Sequence, residues 1–315
     1  MKIIKIVLYQ ILILVISIVI MEGIIRVINS DMKNYDIEMW RYSNELKVQD
    51  PILGHNHLKD KTSILQDVEV KLNSKGMRSD EFDDNDKKII FLGSSISLGW
   101  GVEQKDSYPG IIQTKLSSDS INYKVLNGSI GNYNTFRYVN NFLSNQTDIE
   151  PKVIVINYFI NDAETLPINS SNWLIKNSQL FATLTITYKK LFSKSGFDLK
   201  QYYNDLYKND NQSFLEMKES LNKLSEYSKQ RNISILLTVI PDIHFLEDYP
   251  FDSIHKKMKS ISEELGFEYH DLLPSLKGIS FKKLQIIQGD SHPNELGHYK
   301  ISESLYPKIK DIISN

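Results

Sequence analysis

A serine in a tight turn is the first residue of this chain whose type and position could do chemistry. The stretch Lys88–Leu92 has an apolar core that is typical of a short buried strand, and the turn Gly93-Ser94-Ser95 follows it. Parallel α/β sheets bind their ligands beyond the carboxyl ends of their strands, where Ser95 would stand. Serine is also common in turns for structural reasons. Ser95 is therefore a candidate nucleophile that needs partners.

Three further blocks offer those partners. Residues Asn127–Thr135 form a glycine-bearing loop after the second predicted strand, and its backbone N–H groups can point at an anion. Asn161 follows the third predicted strand, and its side-chain amide can donate to an oxyanion. His292 lies in the block Gly289–Asn294 before the last predicted helix. A histidine there can act as general base towards Ser95 and then as general acid towards the leaving group.

These residue types together point to acyl transfer. A serine hydroxyl is a poor nucleophile until a base within hydrogen-bond reach takes its proton, and the tetrahedral intermediate needs oxyanion donors. The chemistry requires no metal and no cofactor. Each block alone also has a structural interpretation, such as a loop cap for Asn161 or a helix-start residue for His292. The four blocks in this order favour a catalytic site.

Alternating strands and helices must position these residues. The predicted strands are mostly apolar runs, which is typical of strands covered on both faces. The alternation predicts an α/β fold with a doubly wound, mostly parallel five-stranded sheet. The predicted strands are Lys88–Leu92, Lys124–Asn127, Val153–Phe159, Ile233–Ile240 and Phe267–Asp271, and the predicted helices are Pro109–Ser117, Thr135–Asn145, Phe214–Gln230, Ser253–Leu265 and Asn294–Ile313.

One aromatic-rich stretch, from about residue 167 to 209, interrupts this alternation. We expect it to be a helical insertion after the third strand, within a catalytic domain that spans residues 88–315. It forms either a lid over the site or a peripheral helical subdomain, and the sequence favours neither.

The N-terminus carries a different signal. Residues 3–21 are almost wholly apolar, and a helix of that length reaches about 28 Å, close to the hydrocarbon thickness of a bilayer. Lys2 and Lys5 at its start favour a cytoplasmic N-terminus, and no small-residue cleavage site follows. We expect residues 1–29 to be a signal anchor and transmembrane helix, with the remaining chain outside the cytoplasm. A cleaved signal peptide is the alternative.

Residues 30–87 are expected to connect the anchor to the catalytic domain. The alternation in Val68–Leu72, followed by turn residues up to Gly76, predicts a strand within a small β element. His55 and His57 fall in this element and are expected at the surface.

The composition restricts the class of protein. The chain has 315 residues, of which 41% are apolar and 24% charged, so it can hold one sizeable globular domain with additions. A net charge of -2 without a basic stripe argues against a nucleic-acid partner. The absence of cysteine excludes disulfides and thiolate catalysis.

At these blocks the chain resembles the SGNH hydrolases, the GDSL-like serine esterase superfamily, over most of residues 88–313. Gly93–Gly99 corresponds to the Gly-Asp-Ser-Leu block of that family, and Asn73–Arg78 and Pro241–His244 are similar to membrane-anchored bacterial members. The resemblance implies that Ser95 is the nucleophile and His292 the base.

The resemblance also assigns oxyanion donors. These are the backbone N–H of Ser95, the backbone N–H of Gly128 or Ser129, and the side-chain amide of Asn161. Phe159 replaces the glycine that is usual two residues before this asparagine, which would narrow the site.

The orienting carboxylate is the main departure from the family pattern. The family aspartate stands three residues before the histidine, where this chain has Gly289, whereas Asp290 stands two before it. We expect Asp290 to orient His292, with a backbone carbonyl or a water as the alternative. His244, just after the fourth predicted strand, is a candidate for substrate contact at the rim of the site or for a structural role.

The sequence thus predicts a membrane-anchored serine esterase or O-acyltransferase outside the cytoplasm. Its expected substrate is a cell-envelope molecule, an O-acetylated polysaccharide or a lipid. A transferase would need an integral-membrane partner that delivers the acyl group. The alternatives are a lysophospholipase or thioesterase, favoured if the insertion forms an apolar lid, and a catalytically silent envelope-binding protein on the same fold.

Overall fold

A long apolar helix begins the chain. The computed structural model describes residues 2–168, 172–192 and 198–314, and its first helix, α1, covers Lys2–Ile28 with none of its residues buried. Among the residues described, the segment Lys2–Asp31 is the one helical stretch long and apolar enough to cross a bilayer, with a mean hydropathy of 2.8. A signal sequence near the N-terminus meets the same criteria.

A short helix and two hairpins follow α1. Helix α2 (Tyr35–Glu45) begins after Asn34, whose side chain accepts a hydrogen bond from the N–H of Ile37 and caps the helix. These elements bury a small apolar core that includes Tyr42 and extends to Trp100, beyond the Ser95 turn. Each hairpin is antiparallel, and the strands are β1 (Lys47–Asp50) with β2 (Gly54–His57), and β3 (Lys61–Leu65) with β4 (Val68–Leu72).

A five-stranded parallel sheet forms the centre of the protein, as predicted. Its strands agree with the predicted ones to within one residue at each end: β5 (Lys88–Gly93), β6 (Lys124–Asn127), β7 (Val153–Phe159), β8 (Ser234–Ile240) and β9 (Glu268–Asp271). The strand order is β6-β5-β7-β8-β9, and every neighbouring pair is parallel. Every residue of β5 and β7 is buried, which explains their unbroken apolar runs.

Helices cover the sheet in two groups. The further helices are α3 (Ser95–Leu98), α4 (Tyr108–Ser118), α5 (Thr135–Asn145), α6 (Trp173–Asn177), α7 (Gln179–Leu191), α8 (Leu199–Leu206), α9 (Gln212–Arg231), α10 (Asp252–Leu265), α11 (Leu273–Leu276), α12 (Phe281–Leu284) and α13 (Glu295–Ser314). Helix α4 packs against α13, while α5 and α10 both pack against α9. This arrangement is the doubly wound one expected from the sequence.

The insertion after β7 contains α6, α7 and α8, and its residues 169–171 and 193–197 lie outside the described part of the chain. Helix α7 packs against α1 and α2. Glu22 of α1 accepts hydrogen bonds from Ser178 Oγ (2.8 Å) and from the N–H of Leu180 (2.9 Å) at the start of α7. The insertion therefore connects the apolar helix to the α/β body.

The order of the strands creates a crevice at one edge of the sheet. Strands β5 and β7 are neighbours, but the chain leaves β5 towards β6 on one side and β7 towards β8 on the other. Such a reversal opens a space beyond the carboxyl ends of the two strands. Ser95 follows β5 and Asn161 follows β7, so both residues lie at this reversal.

Candidate active site

Ser95 is the first residue of α3, directly after the β5 turn. The turn needs glycine at position 93, because a Cβ on Gly93 would lie 2.4 Å from Ser97 Oγ. Behind the turn, the buried guanidinium of Arg78 donates to the carbonyl oxygen of Val102 at 2.8 Å. Arg78 thus holds the segment that follows the candidate nucleophile.

The structure brings His292 and Asp290 to Ser95. His292 Nε2 lies 2.7 Å from Ser95 Oγ, and His292 Nδ1 lies 2.6 Å from Asp290 Oδ1. The side chains of His292 and Asp290 are only 6% and 7% exposed. Because a carboxylate can only accept, Nδ1 carries the ring proton and Nε2 is free to take the serine proton.

The two-residue spacing between Asp290 and His292 works through a local turn. Asp290 Oδ1 accepts both the ring Nδ1–H and the backbone N–H of His292, the latter at 3.1 Å. Gly289 enters the turn with φ +85°, a conformation that favours glycine. The second carboxylate oxygen, Asp290 Oδ2, is buried and has no hydrogen-bond partner among the described residues.

A cavity of about 160 Å³ opens in front of Ser95. Its walls come from α2, from the turns after β5 and β7, from the loop after β6 and from the His292 loop. The lining residues are Tyr35, Met39, Ser94, Ser95, Ile96, Asn132, Tyr133, Asn134, Phe159, Asn161, Leu166, Ser291 and His292. The described residues of the insertion, 167–209, do not line this cavity.

The loop after β6 corrects the expected oxyanion donors. The N–H of Gly128 donates to Phe91 O at 2.9 Å, and the N–H of Ser129 donates to Asn127 Oδ1 at 3.3 Å. Both N–H groups are therefore occupied, and neither residue lines the cavity. The prediction was wrong because the sequence motif does not show which N–H groups of the loop already bond within the sheet.

Asn132, further along the same loop, reaches the cavity that Gly128 and Ser129 do not. It lines the cavity and has φ +65°, a left-handed conformation in which asparagine is tolerated. Its backbone N–H has no acceptor among the described residues. Asn161 also lines the cavity and is exposed there. Asparagine directly after a glycine is the sequence signal that could have pointed to this turn.

Helix α2 supplies a wall that sequence reasoning treated only as a connector. The Tyr35 ring lies 5.8 Å from the His292 ring and meets the Trp100 ring edge-on at 6.5 Å. Burial and the nearby charge of Asp290 raise the pKa of Tyr35, so its hydroxyl stays protonated at neutral pH. The Asn34 cap and the acidic residues of the first turn of α2 could have indicated this helix.

His244 lies outside the cavity. Its Nδ1 lies 2.7 Å from Asp242 Oδ1, which also accepts a hydrogen bond from the backbone N–H of His244 at 3.0 Å. Asp242 and His244 therefore form the same kind of turn as Asp290 and His292. The hydrogen bond that the His244 ring donates to Asp242 raises the pKa of His244. Its Nε2 faces the carbonyl oxygen of Gly289 at 3.4 Å. The structure therefore brings His244 to the loop that holds Asp290 rather than to the cavity around Ser95.

Of the two histidines expected at the surface, His57 proves to be buried and His55 half-buried. His57 is only 6% exposed, and its Nε2 accepts from the Tyr42 hydroxyl at 2.6 Å. His55 Nε2 lies 3.0 Å from the carbonyl oxygen of Gly131. Burial lowers the pKa of both rings to about 3, so both are neutral at physiological pH. The prediction was wrong because their partners are distant in sequence.

Comparisons with known proteins were made at the level of sequence and of structure. No family model and no curated protein matches the chain. Among solved structures, the chain is similar to TesA at 13% identity, covering 72% of this chain and 99% of that one with a TM-score of 0.49. It is similar to the psychrotrophic esterase EstA from Pseudoalteromonas sp. at 18% identity, covering 73% and 100% with a TM-score of 0.47. It is similar to Axe2, an acetylxylan esterase from Geobacillus stearothermophilus, at 17% identity, covering 71% and 94% with a TM-score of 0.48.

The observed fold, a five-stranded parallel sheet covered by helices, is consistent with the fold that the sequence resemblance to SGNH hydrolases implies. The parallel five-stranded sheet agrees with the expectation from the sequence, and the structure places Ser95, Asn161 and His292 around one cavity. At these identities and TM-scores the likeness to solved structures carries no argument about activity, which has to be argued from the site.

Proposed function

We propose that this protein transfers short acyl groups from ester substrates through a covalent intermediate on Ser95. One observation carries the proposal: His292 Nε2 lies 2.7 Å from Ser95 Oγ, while Asp290 Oδ1 lies 2.6 Å from the other ring nitrogen. A serine, a base within hydrogen-bond reach and a group that orients the base form a nucleophilic site.

The reaction proceeds in two halves. As Ser95 Oγ attacks the ester carbonyl carbon, His292 Nε2 takes the hydroxyl proton, and Asp290 stabilises the imidazolium that forms. The tetrahedral intermediate collapses, the bond to the leaving alkoxide breaks, and His292 gives that oxygen its proton. Water, or a sugar hydroxyl in a transferase, then gives a proton to His292 and attacks the acyl carbon. Collapse of this second intermediate releases Ser95, which regains its proton.

Three donors are available to the oxyanion. These are the backbone N–H groups of Ser95 and Asn132 and the side-chain amide of Asn161. All three residues line the same cavity as His292. Donors fixed around a small cavity stabilise the negative charge that develops in each tetrahedral intermediate.

The size of the cavity supports a short acyl group. Its volume of about 160 Å³ is well below the roughly 300–1,000 Å³ of pockets that enclose drug-sized ligands. Phe159, which stands where the resemblance places a glycine, forms part of its wall. We therefore favour acetyl esters over long-chain acyl esters.

The position of α1 supports a substrate at the cell envelope. The candidate span ends at Asp31, and Tyr35 of the cavity wall follows four residues later. The site would then face the membrane surface outside the cytoplasm, with an O-acetylated envelope polysaccharide as the favoured substrate. A transferase would receive its acyl group from an integral-membrane partner.

A lysophospholipase or thioesterase was the alternative if the insertion formed an apolar lid. Helix α7 of the insertion lies against α1 and α2, and no described residue of the insertion lines the cavity, so this condition has no support. A silent binding protein would not need the Ser95–His292–Asp290 arrangement.

The full chain in detergent, assayed on p-nitrophenyl acetate and p-nitrophenyl octanoate, tests the proposal. We expect hydrolysis that prefers acetate and is lost in Ser95→Ala. Ser118→Ala, which changes an exposed serine of α4, serves as the matched control. Equal rates for wild type and Ser95→Ala would refute the proposed nucleophile, and an octanoate preference would refute the short acyl group.

A further inference from the structure

The peptide that joins Gly131 to Asn132 is held from outside the cavity by the first hairpin. Its carbonyl oxygen, on Gly131, accepts from Lys47 Nζ at 2.7 Å and from His55 Nε2 at 3.0 Å. Lys47 belongs to β1 and His55 to β2. Both residues line a separate groove of about 790 Å³ that does not include Ser95.

A second set of hydrogen bonds fixes the other side of Gly131. Its N–H donates to the Tyr42 hydroxyl at 2.9 Å, and that hydroxyl donates to His57 Nε2 at 2.6 Å. His57 Nδ1 in turn donates to the carbonyl oxygen of Gly76 at 2.9 Å. The donors and acceptors along this series of hydrogen bonds are consistent with a single neutral tautomer of His57.

Packing leaves no freedom at this position. A Cβ on Gly131 would lie 2.6 Å from Tyr42 Cε1, so the ring of Tyr42 lies directly against the backbone. Lys47 Nζ lies 4.1 Å from the centre of the same ring. The hydroxyl of Tyr133 donates to the carbonyl oxygen of His55 at 2.6 Å, which ties the hairpin to the loop after β6.

The geometry of a trans peptide links the groove to the cavity. In a trans peptide the C=O and the N–H point in opposite directions, and the described chain contains no cis peptide. The Gly131 carbonyl points towards Lys47 and His55 in the groove. The N–H of the same peptide, which belongs to Asn132, therefore points to the opposite side, where Asn132 lines the cavity.

We propose that Lys47 and His55 are positioning residues for the oxyanion site, because they orient and polarise the Gly131–Asn132 peptide at the wall of the cavity that holds Ser95. This inference rests on the proposed function. Two donors on a carbonyl oxygen draw electron density from the whole peptide unit and strengthen its N–H as a donor. The first hairpin would thus act on the reaction without touching the substrate.

The test compares variants of the full chain in two assays. The first is the second-order rate constant for labelling of Ser95 by a fluorophosphonate, and the second is kcat and KM on p-nitrophenyl acetate. The variants are Lys47→Met, His55→Leu and the double variant. Lys189→Met is the matched control, because Lys189 lines the same groove, with no contact to Gly131 among the described hydrogen bonds.

We expect Lys47→Met and His55→Leu each to lower the labelling rate and kcat by about tenfold, with KM nearly unchanged. This is less than the roughly 10²–10³-fold cost of removing an oxyanion donor outright, because the N–H remains. His55→Gln should recover most of the loss, since its amide can donate to the same oxygen. Lys189→Met should match wild type.

Thermal melting checks that each variant is folded. Labelling of folded variants at the wild-type rate would overturn the inference, and so would a rise in KM without a fall in kcat. If Lys47→Met does not fold, the comparison of His55→Leu with His55→Gln decides the question alone. If wild type itself is not labelled at Ser95, the proposed function fails together with this inference. If wild type and the variants are labelled at the same rate, the inference fails but the proposed function stands.

Discussion

Replacement of Asp290 by asparagine tests how the base is oriented. Asp290 Oδ1 faces two donors of His292, the ring Nδ1–H at 2.6 Å and the backbone N–H at 3.1 Å. The amide oxygen of asparagine should take the position of Oδ1, because an NH₂ group at that position would face two donors and could accept from neither. The ring would then keep its tautomer but lose the negative charge that stabilises the imidazolium.

The size of the effect follows from that lost charge. A hydrogen bond to a charged group contributes about 1.5–3 kcal/mol, and about 1.36 kcal/mol corresponds to a tenfold change in rate. We therefore expect kcat of Asp290→Asn to fall by about 10–10²-fold. The new NH₂ group would occupy the place of Asp290 Oδ2, which is buried without a partner in the described part of the chain. An unsatisfied donor there should lower the free energy of unfolding by about 1–3 kcal/mol.

The assay is the rate of p-nitrophenyl acetate hydrolysis, with chemical denaturation to measure stability. Asp242→Asn is the matched control, because Asp242 and His244 form the same turn outside the cavity. Asp290→Ala should lose more activity than Asp290→Asn, since no acceptor remains for Nδ1. Wild-type kcat in both Asp290 variants would refute the reasoning and assign the orienting role to a backbone carbonyl or a water.

Two other predictions concern single side chains of the site and its surroundings. Asn161→Ala should lower kcat by about 10²-fold with little change in KM, measured on p-nitrophenyl acetate, because it removes one oxyanion donor; an unchanged kcat would exclude Asn161 from the oxyanion site. The hydrogen bond that His244 donates to Asp242 raises the pKa of His244 in the folded state. This pair therefore stabilises the protein most below the ordinary histidine pKa, and that stabilisation is lost as the pH rises through the raised value. Melting temperatures between about pH 6 and pH 9 should therefore fall less steeply in His244→Gln than in wild type, and parallel curves would refute the role of this pair.

The central sheet and its helices were predictable because each carries its signal locally. The buried strands β5 and β7 are unbroken apolar runs, and α5 begins after Asn134, whose side chain caps it. Local signals of this kind do not depend on which parts of the chain meet in space. The resemblance to SGNH hydrolases then gave Ser95, Asn161 and His292, which the structure places around one cavity.

The role of residues 35–57 could not be predicted, because it depends on contacts between distant segments. Tyr42 contacts Gly131 across 89 positions, and His55 contacts it across 76. In the sequence, Tyr42 is one aromatic residue in a polar stretch, and His55 has no neighbour that marks it as internal. The region expected to be a connector with a surface β element instead forms one wall of the cavity and holds the loop after β6.

The choice of Gly128 and Ser129 failed for a different reason. A glycine-bearing loop suggests free N–H groups, but which of them are free depends on where the sheet stops. The N–H of Gly128 still bonds to Phe91 O, on the neighbouring strand β5. The N–H without an acceptor among the described residues comes four residues after Gly128, at Asn132, where the backbone adopts φ +65°.

The central claim is that Ser95 carries the acyl group, and acid quenching of the full chain during hydrolysis of p-nitrophenyl acetate tests it most directly. Peptide mass mapping of the quenched protein should find one acetyl group on Ser95, and Ser95→Ala should carry none and hydrolyse nothing. Hydrolysis that continues in Ser95→Ala, or an acetyl group found only on another residue, would contradict the account.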